Sequence, residues 1–236
     1  MKKLILSGLV VLALVGNGWG WHEIEWNGTP PLTYDGEAFR FTTSATPQTA
    51  VAIPVTTTIP AGKFIVVTSS STGGCFSSVV DSKGNTWTVG YGGLGDSGTY
   101  TTIASCRVTT ELGNGDTITG TYGPSASRSE VGAVQQFSGG VGSNDITAPR
   151  AYAYGTAISI PGTAVNAGAC AVGVISARVG NSYSNSQWDV VGAALIAVNS
   201  YPYYIVKKCG MAPGVQNPSG SLASNGNWGG VWVSYY

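Results

Sequence analysis

From residue 51 onward the chain alternates short apolar runs with polar turns, and no stretch there holds a sustained 3.6-residue apolar period. Runs rich in β-branched residues occupy Val51–Val55, Phe64–Thr68 and Phe76–Val80, and a further run carries Trp87 and Val89. A polar turn separates the second and third of these runs, and Asp81-Ser82-Lys83-Gly84-Asn85 reads as another. Thr101–Thr110 alternates, Asn114-Gly115 marks a turn, and Thr117–Tyr122 and Val131–Phe137 complete the set. Strand-length runs at roughly eight to twelve residue intervals, with turn signals between them, are a sandwich signature. The pattern predicts an all-β fold with little or no helix.

A looser version of the set returns about a hundred residues later. Ala61-Gly62 is matched by Ala167-Gly168, Trp87 by Trp188, Cys106 by Cys209, and Val134–Phe137 by Trp232–Tyr235. The offsets drift between 98 and 106 residues, but the order is kept. The expectation is two related antiparallel β-units, 51–142 and 158–236, built as tandem β-sandwiches or as one duplicated jelly roll. A connector at 143–157, with Pro149 and small polar residues, separates them. The final run, Trp228–Tyr236, has no polar tail and reads as a strand secured inside a sheet.

Residues 1–20 have the parts of a secretory signal: Lys2 and Lys3, an apolar run Leu4–Val15, and small residues Gly16, Gly18 and Gly20. The run is shorter than the roughly 20 residues a membrane-crossing helix needs. This leader predicts export, with retention as an anchor the alternative. Residues 21–50 carry Trp21, Trp26, Tyr34 and Phe41, and Pro30-Pro31 excludes a helix there. They read as an aromatic arm, either an extra edge strand or a segment that docks on a neighbour.

Composition narrows the function classes. Charged residues make up 9% and cancel to zero net charge, against roughly a quarter in ordinary globular domains. Solubility therefore rests on Ser, Thr, Asn and Gly, which suits an extracellular, cell-surface or virion protein. The eleven Lys and Arg are scattered, which argues against a nucleic-acid surface. The four cysteines, Cys75, Cys106, Cys170 and Cys209, admit two disulfides in three pairings, with buried thiols as the alternative. They show no C-x-x-C spacing for zinc.

Catalytic constellations are scarce. A nucleophilic triad needs a histidine, and the single one, His22, lies in the N-terminal stretch with no G-x-S-x-G elbow elsewhere. Paired carboxylates for glycoside hydrolysis would have to come from Asp81, Asp96, Glu111, Asp116, Glu130, Asp145 and Asp189, several of which sit at turns. The Asp81–Asn85 loop offers two oxygen side chains, short of the six to eight ligands calcium takes, and reads as a hairpin loop. No enzyme activity and no cofactor is expected. Aromatics are the better functional hint: seven Trp and twelve Tyr. Trp87, Trp188 and Trp232 fall inside strand patterns and read as core. Alternation through Tyr201, Tyr203 and Tyr204 leaves at least one outward, available to a glycan or a partner protein.

Val79–Thr88 (VVDSKGNTWT), Gly115–Thr121 (GDTITGT) and Ala133–Gly139 (AVQQFSG) together resemble a repeated β-sandwich family. Its domains occur in phage virion proteins and in secreted or surface bacterial proteins. The likeness covers roughly residues 50–236 and consists of turn and strand patterns, so it brings no catalytic residue. It implies a structural protein that assembles with itself or with a capsid, tail or cell-surface scaffold. The runner-up is a secreted carbohydrate-binding module or adhesin.

Overall fold

The computed structural model describes residues 30–43, 48–94, 100–123, 130–140, 149–177, 182–184, 187–195 and 202–236. The leader, His22 and Tyr201 lie outside them. Sixteen strands and no helix are found among the described residues, so the fold is all-β.

The first eight strands are β1 (Thr33–Thr43), β2 (Ala50–Pro54), β3 (Phe64–Ser71), β4 (Phe76–Asp81), β5 (Trp87–Leu94), β6 (Tyr100–Arg107), β7 (Thr117–Tyr122) and β8 (Glu130–Ser138). They form a five-stranded sheet in the order β1-β8-β3-β6-β5 and a three-stranded sheet β2-β7-β4, antiparallel throughout. The remainder are β9 (Arg150–Ser159), β10 (Thr163–Val165), β11 (Cys170–Ala177), β12 (Tyr183–Ser184), β13 (Asp189–Leu195), β14 (Pro202–Lys208), β15 (Gly214–Gln216) and β16 (Ser219–Tyr235). Their large sheet runs β9-β16-β11-β14-β13, with β12 added on β16, and β10 pairs β15. Adding eight to each strand of the first large sheet gives the second.

The cores are layered. Ile65, Val67, Ala104 and Val134 pack with Val51, Ile53, Phe76 and Ile118 between the three- and five-stranded sheets. The opposite face of the five-stranded sheet, with Phe64, Val66, Ile103, Val131 and Phe137, meets Cys170, Val172, Val174, Tyr203, Ile205, Val231, Val233 and Tyr235. A third core, with Trp188, Trp228 and Trp232, lies on the far side of the second large sheet. β3 and β11 are therefore buried on both faces along their whole length. Burying roughly 1.5–3 kcal/mol worth of each large apolar side chain on both faces makes these two strands the stabilising centre.

Across the middle core, β11 lies over β3 and β6, β16 over β5 and β6, and β13 against β8. The two strand orders thus oppose each other. The pairs β5–β16 and β8–β13 exchange when eight is added or removed, which is the pattern of a two-fold, self-matching interface inside one chain.

Two expectations need correction. The polar turn placed after Phe64–Thr68 begins later, because Ser69, Ser70 and Ser71 continue β3 and pair on one side with Thr102–Tyr100 and on the other with Gly132–Glu130. Partner strands of full length on both sides hold these serines in the ladder despite their polarity. The connector at 143–157 contains most of β9, whose residues from Arg150 to Gly155 pair with Val231 to Gly226. Of the two readings of the 21–50 stretch, the described part takes the first: β1 is an extra edge strand of the first large sheet.

Candidate functional site

The Asp81–Trp87 loop is a structural clamp. Asp81 Oδ1 accepts from the backbone N–H of Lys83 (2.8 Å) and Asn85 (3.2 Å), and Oδ2 accepts from the Trp87 indole at 2.7 Å. Asn85 Oδ1 takes the Thr109 N–H, the Thr109 hydroxyl and the Thr110 N–H at 2.8–2.9 Å, while its amide donates to Thr110 carbonyl oxygen at 3.0 Å. Asp116 accepts from the Ser82 hydroxyl and the Gly113 N–H, and Lys83 sits 3.2 Å away. These contacts engage both oxygens of each carboxylate within the loop. Gly84 and Gly115 have φ of +74° and +97°, which only glycine adopts without strain. Among the described residues no three His, Cys, Asp or Glu side chains converge.

Of the four cysteines, Cys170 and Cys209 are bonded, joining the start of β11 to the end of β14 at the margin of the middle core. Cys75 and Cys106 are thiols, correcting the expectation of two bridges. Cys106 points into the first unit's core and Cys75 lies beside β4, so neither faces the other unit's cysteines. Burial pushes both thiols up, to about 12 and about 11 respectively, which leaves them un-ionised and poorly nucleophilic at neutral pH.

Of the three tyrosines expected to leave at least one ring outward, Tyr201 lies outside the described residues, and Tyr203 and Tyr204 take opposite faces of β14. Tyr203 is buried, and its hydroxyl donates to Thr68 Oγ1 at 2.6 Å across the middle core, tying β14 to β3. Tyr204, on the opposite face, is half-buried against Tyr183 with ring centroids 5.6 Å apart.

Among the described residues the most exposed tyrosines are Tyr152 and Tyr154, 66% and 69% exposed on β9. They share a face and stand beside Gly229 and Asn227 of β16. The signal was present as Ala-Tyr-Ala-Tyr (151–154), a period-two pattern, but the small residues and Pro149 made it read as a connector. β9 is also a sheet edge. No described strand pairs with its outer side.

A polar group is buried in the first unit. Glu130 is 1% exposed; Oε2 accepts from the Tyr122 hydroxyl and Oε1 has no hydrogen-bond partner among the described residues. Burial raises its carboxyl from 4.5 to about 7, against smaller lowering by Tyr122 and Ser69. Its side chain is shut from solvent. Comparison with protein-family models, with curated proteins and with solved structures yields no significant match to this chain.

Proposed function

We propose that the protein is a non-catalytic structural component displayed on a cell or particle surface, of the kind that decorates or spikes a phage virion. It works by assembling with itself or with a scaffold. One observation carries this reading: a thick block of layered sheets ends in an open, almost uncharged strand edge, β9, while the polar Asp81–Trp87 loop is spent on internal hydrogen bonds. The Cys170–Cys209 bond is compatible with an extracellular setting. The repeat of strand order supports an internal duplication, since two copies of one unit would reproduce it strand for strand.

A second reading, a carbohydrate-binding module or adhesin, is favoured by Tyr152 and Tyr154. They lie two residues apart on one strand, roughly 7 Å along it, and could stack on successive sugar rings. Sedimentation of the full chain over a wide concentration range, run beside a glycan array, separates the two. Concentration-dependent association without glycan binding supports the structural reading. A monomer that binds glycans, and loses them on Tyr152→Ala, rejects it.

A further inference from the structure

The longer sheet edges among the described strands are guarded to different degrees. β1 carries Asp35, Glu37 and Arg40 and two register shifts, and β5 and β13 are interrupted at Val89/Tyr91 and Val190/Gly192. β4 has a shift at Phe76/Ser78 and β2 ends in Pro54. Charges, bulges and prolines are the usual devices that prevent edge-to-edge pairing. β9 occupies in its sheet the place that β1 holds in the first, yet Arg150 is its only charged residue, and its one register shift, between Gly155 and Ala157, leaves the six residues from Arg150 to Gly155 in unbroken pairing.

We propose that the outer edge of β9 is the docking site for a second copy of this chain, joined by antiparallel β9–β9 pairing about a two-fold axis at Ala153. The proposal rests on the self-assembly reading above and names its contact. The Trp232 N–H donates to the Pro149 carbonyl, so odd residues in this run turn their amide groups toward β16. Even residues, Tyr152 and Tyr154 among them, therefore turn theirs outward. A two-fold at Ala153 sets Tyr152 of one copy opposite Tyr154 of the other, and each outward N–H and C=O finds its mate. The same placement makes two cross-strand tyrosine pairs on one face, where directly opposed aromatics stabilise a sheet. Arg150 falls opposite Thr156, so no like charges meet. Ala153, itself exposed, sits on the axis at a non-hydrogen-bonded position, with Cα atoms about 4.5 Å apart.

The geometry makes the test specific to register. Ala153→Cys in the full chain should form a disulfide-linked dimer on mild oxidation, while Val215→Cys, exposed on β15, should not. Tyr152→Lys with Tyr154→Lys should be monomeric at concentrations where the unsubstituted protein is dimeric. Tyr152→Lys with Tyr154→Glu should restore the dimer, because only this register sets lysine opposite glutamate. All of these side chains are exposed, and an unchanged melting transition confirms that each variant is folded. A dimer that persists in the double-lysine variant, with no cross-link at residue 153, overturns the proposal while leaving self-assembly standing. A protein that stays monomeric at every concentration, without the cross-link, overturns both. Glycan binding lost in the tyrosine variants of such a monomer would place the carbohydrate reading first.

Discussion

Replacing Glu130 by glutamine isolates the buried carboxyl and has a defined pH signature. In the folded protein the group titrates near 7, raised from 4.5 by burial, whereas the unfolded chain titrates near its ordinary value. Below about pH 4.5 both states hold the proton and the group contributes no difference. Between 4.5 and 7 the folded state holds more protons than the unfolded one, so stability falls as pH rises. Above 7 both states are ionised, and the full cost of a buried charge is present. The change from 4.5 to about 7 converts, at about 1.4 kcal/mol per pH unit, to ~3 kcal/mol. Denaturant unfolding at pH 5 and pH 8 should show the unsubstituted protein losing stability across this range by an amount of that order. Glu130→Gln should lose much less, while still offering the Tyr122 hydroxyl an acceptor. The difference between the two proteins removes the contribution of any other titrating group, His22 included. Equal pH dependence in both would refute the argument, as would a carboxylate that stabilises the protein at pH 8.

Three further outcomes test the packing. Tyr203→Phe removes the one hydroxyl bridge to Thr68 and should lower unfolding free energy by about 1 kcal/mol, read from the denaturant midpoint. Gly120→Ala places a methyl group 2.4 Å from the Phe76 ring, an overpacking expected to cost about 1–3 kcal/mol; adding Phe76→Leu should recover part of it in the same assay. Replacing Cys170 and Cys209 together by alanine opens a bridge spanning 39 residues and should cost ~2–4 kcal/mol in thermal or denaturant unfolding. In the native protein, a thiol reagent should leave Cys106 unmodified until unfolding.

The strands were legible because the central ones are buried on both faces, which turns their sequences into continuous runs such as Phe64–Val67. Val134–Phe137 and Trp232–Tyr235, matched in the sequence, lie opposite Val67–Phe64 and Gly173–Cys170 on strands of the same place in the two sheet orders. What failed was any inference that needed to know which face meets water. Alternation through Tyr201, Tyr203 and Tyr204 required at least one outward ring without saying which, and the stacking of the two large sheets buries Tyr203. β9 failed in the other direction. Its small residues give weak strand propensity, and only pairing with β16 makes it a strand. Cysteine pairing could not be read at all, since it depends on which strands become neighbours.

The middle core has a consequence for how the chain is made. Domains generally fold as they emerge, the N-terminal part first. β1 through β8 can complete their five-stranded sheet before any strand of the second unit exists, and in doing so they expose Phe64, Val66, Ile103, Val131 and Phe137. That face waits for β11, β14 and β16, the last of which supplies Val231, Val233 and Tyr235. Because the contact between the two units is self-matching, two unfinished chains present each other with a workable substitute for the missing half. The yield of correctly folded protein is thus a race between synthesis of β16 and the meeting of two half-made molecules, and it should fall with the rate of expression rather than with temperature alone.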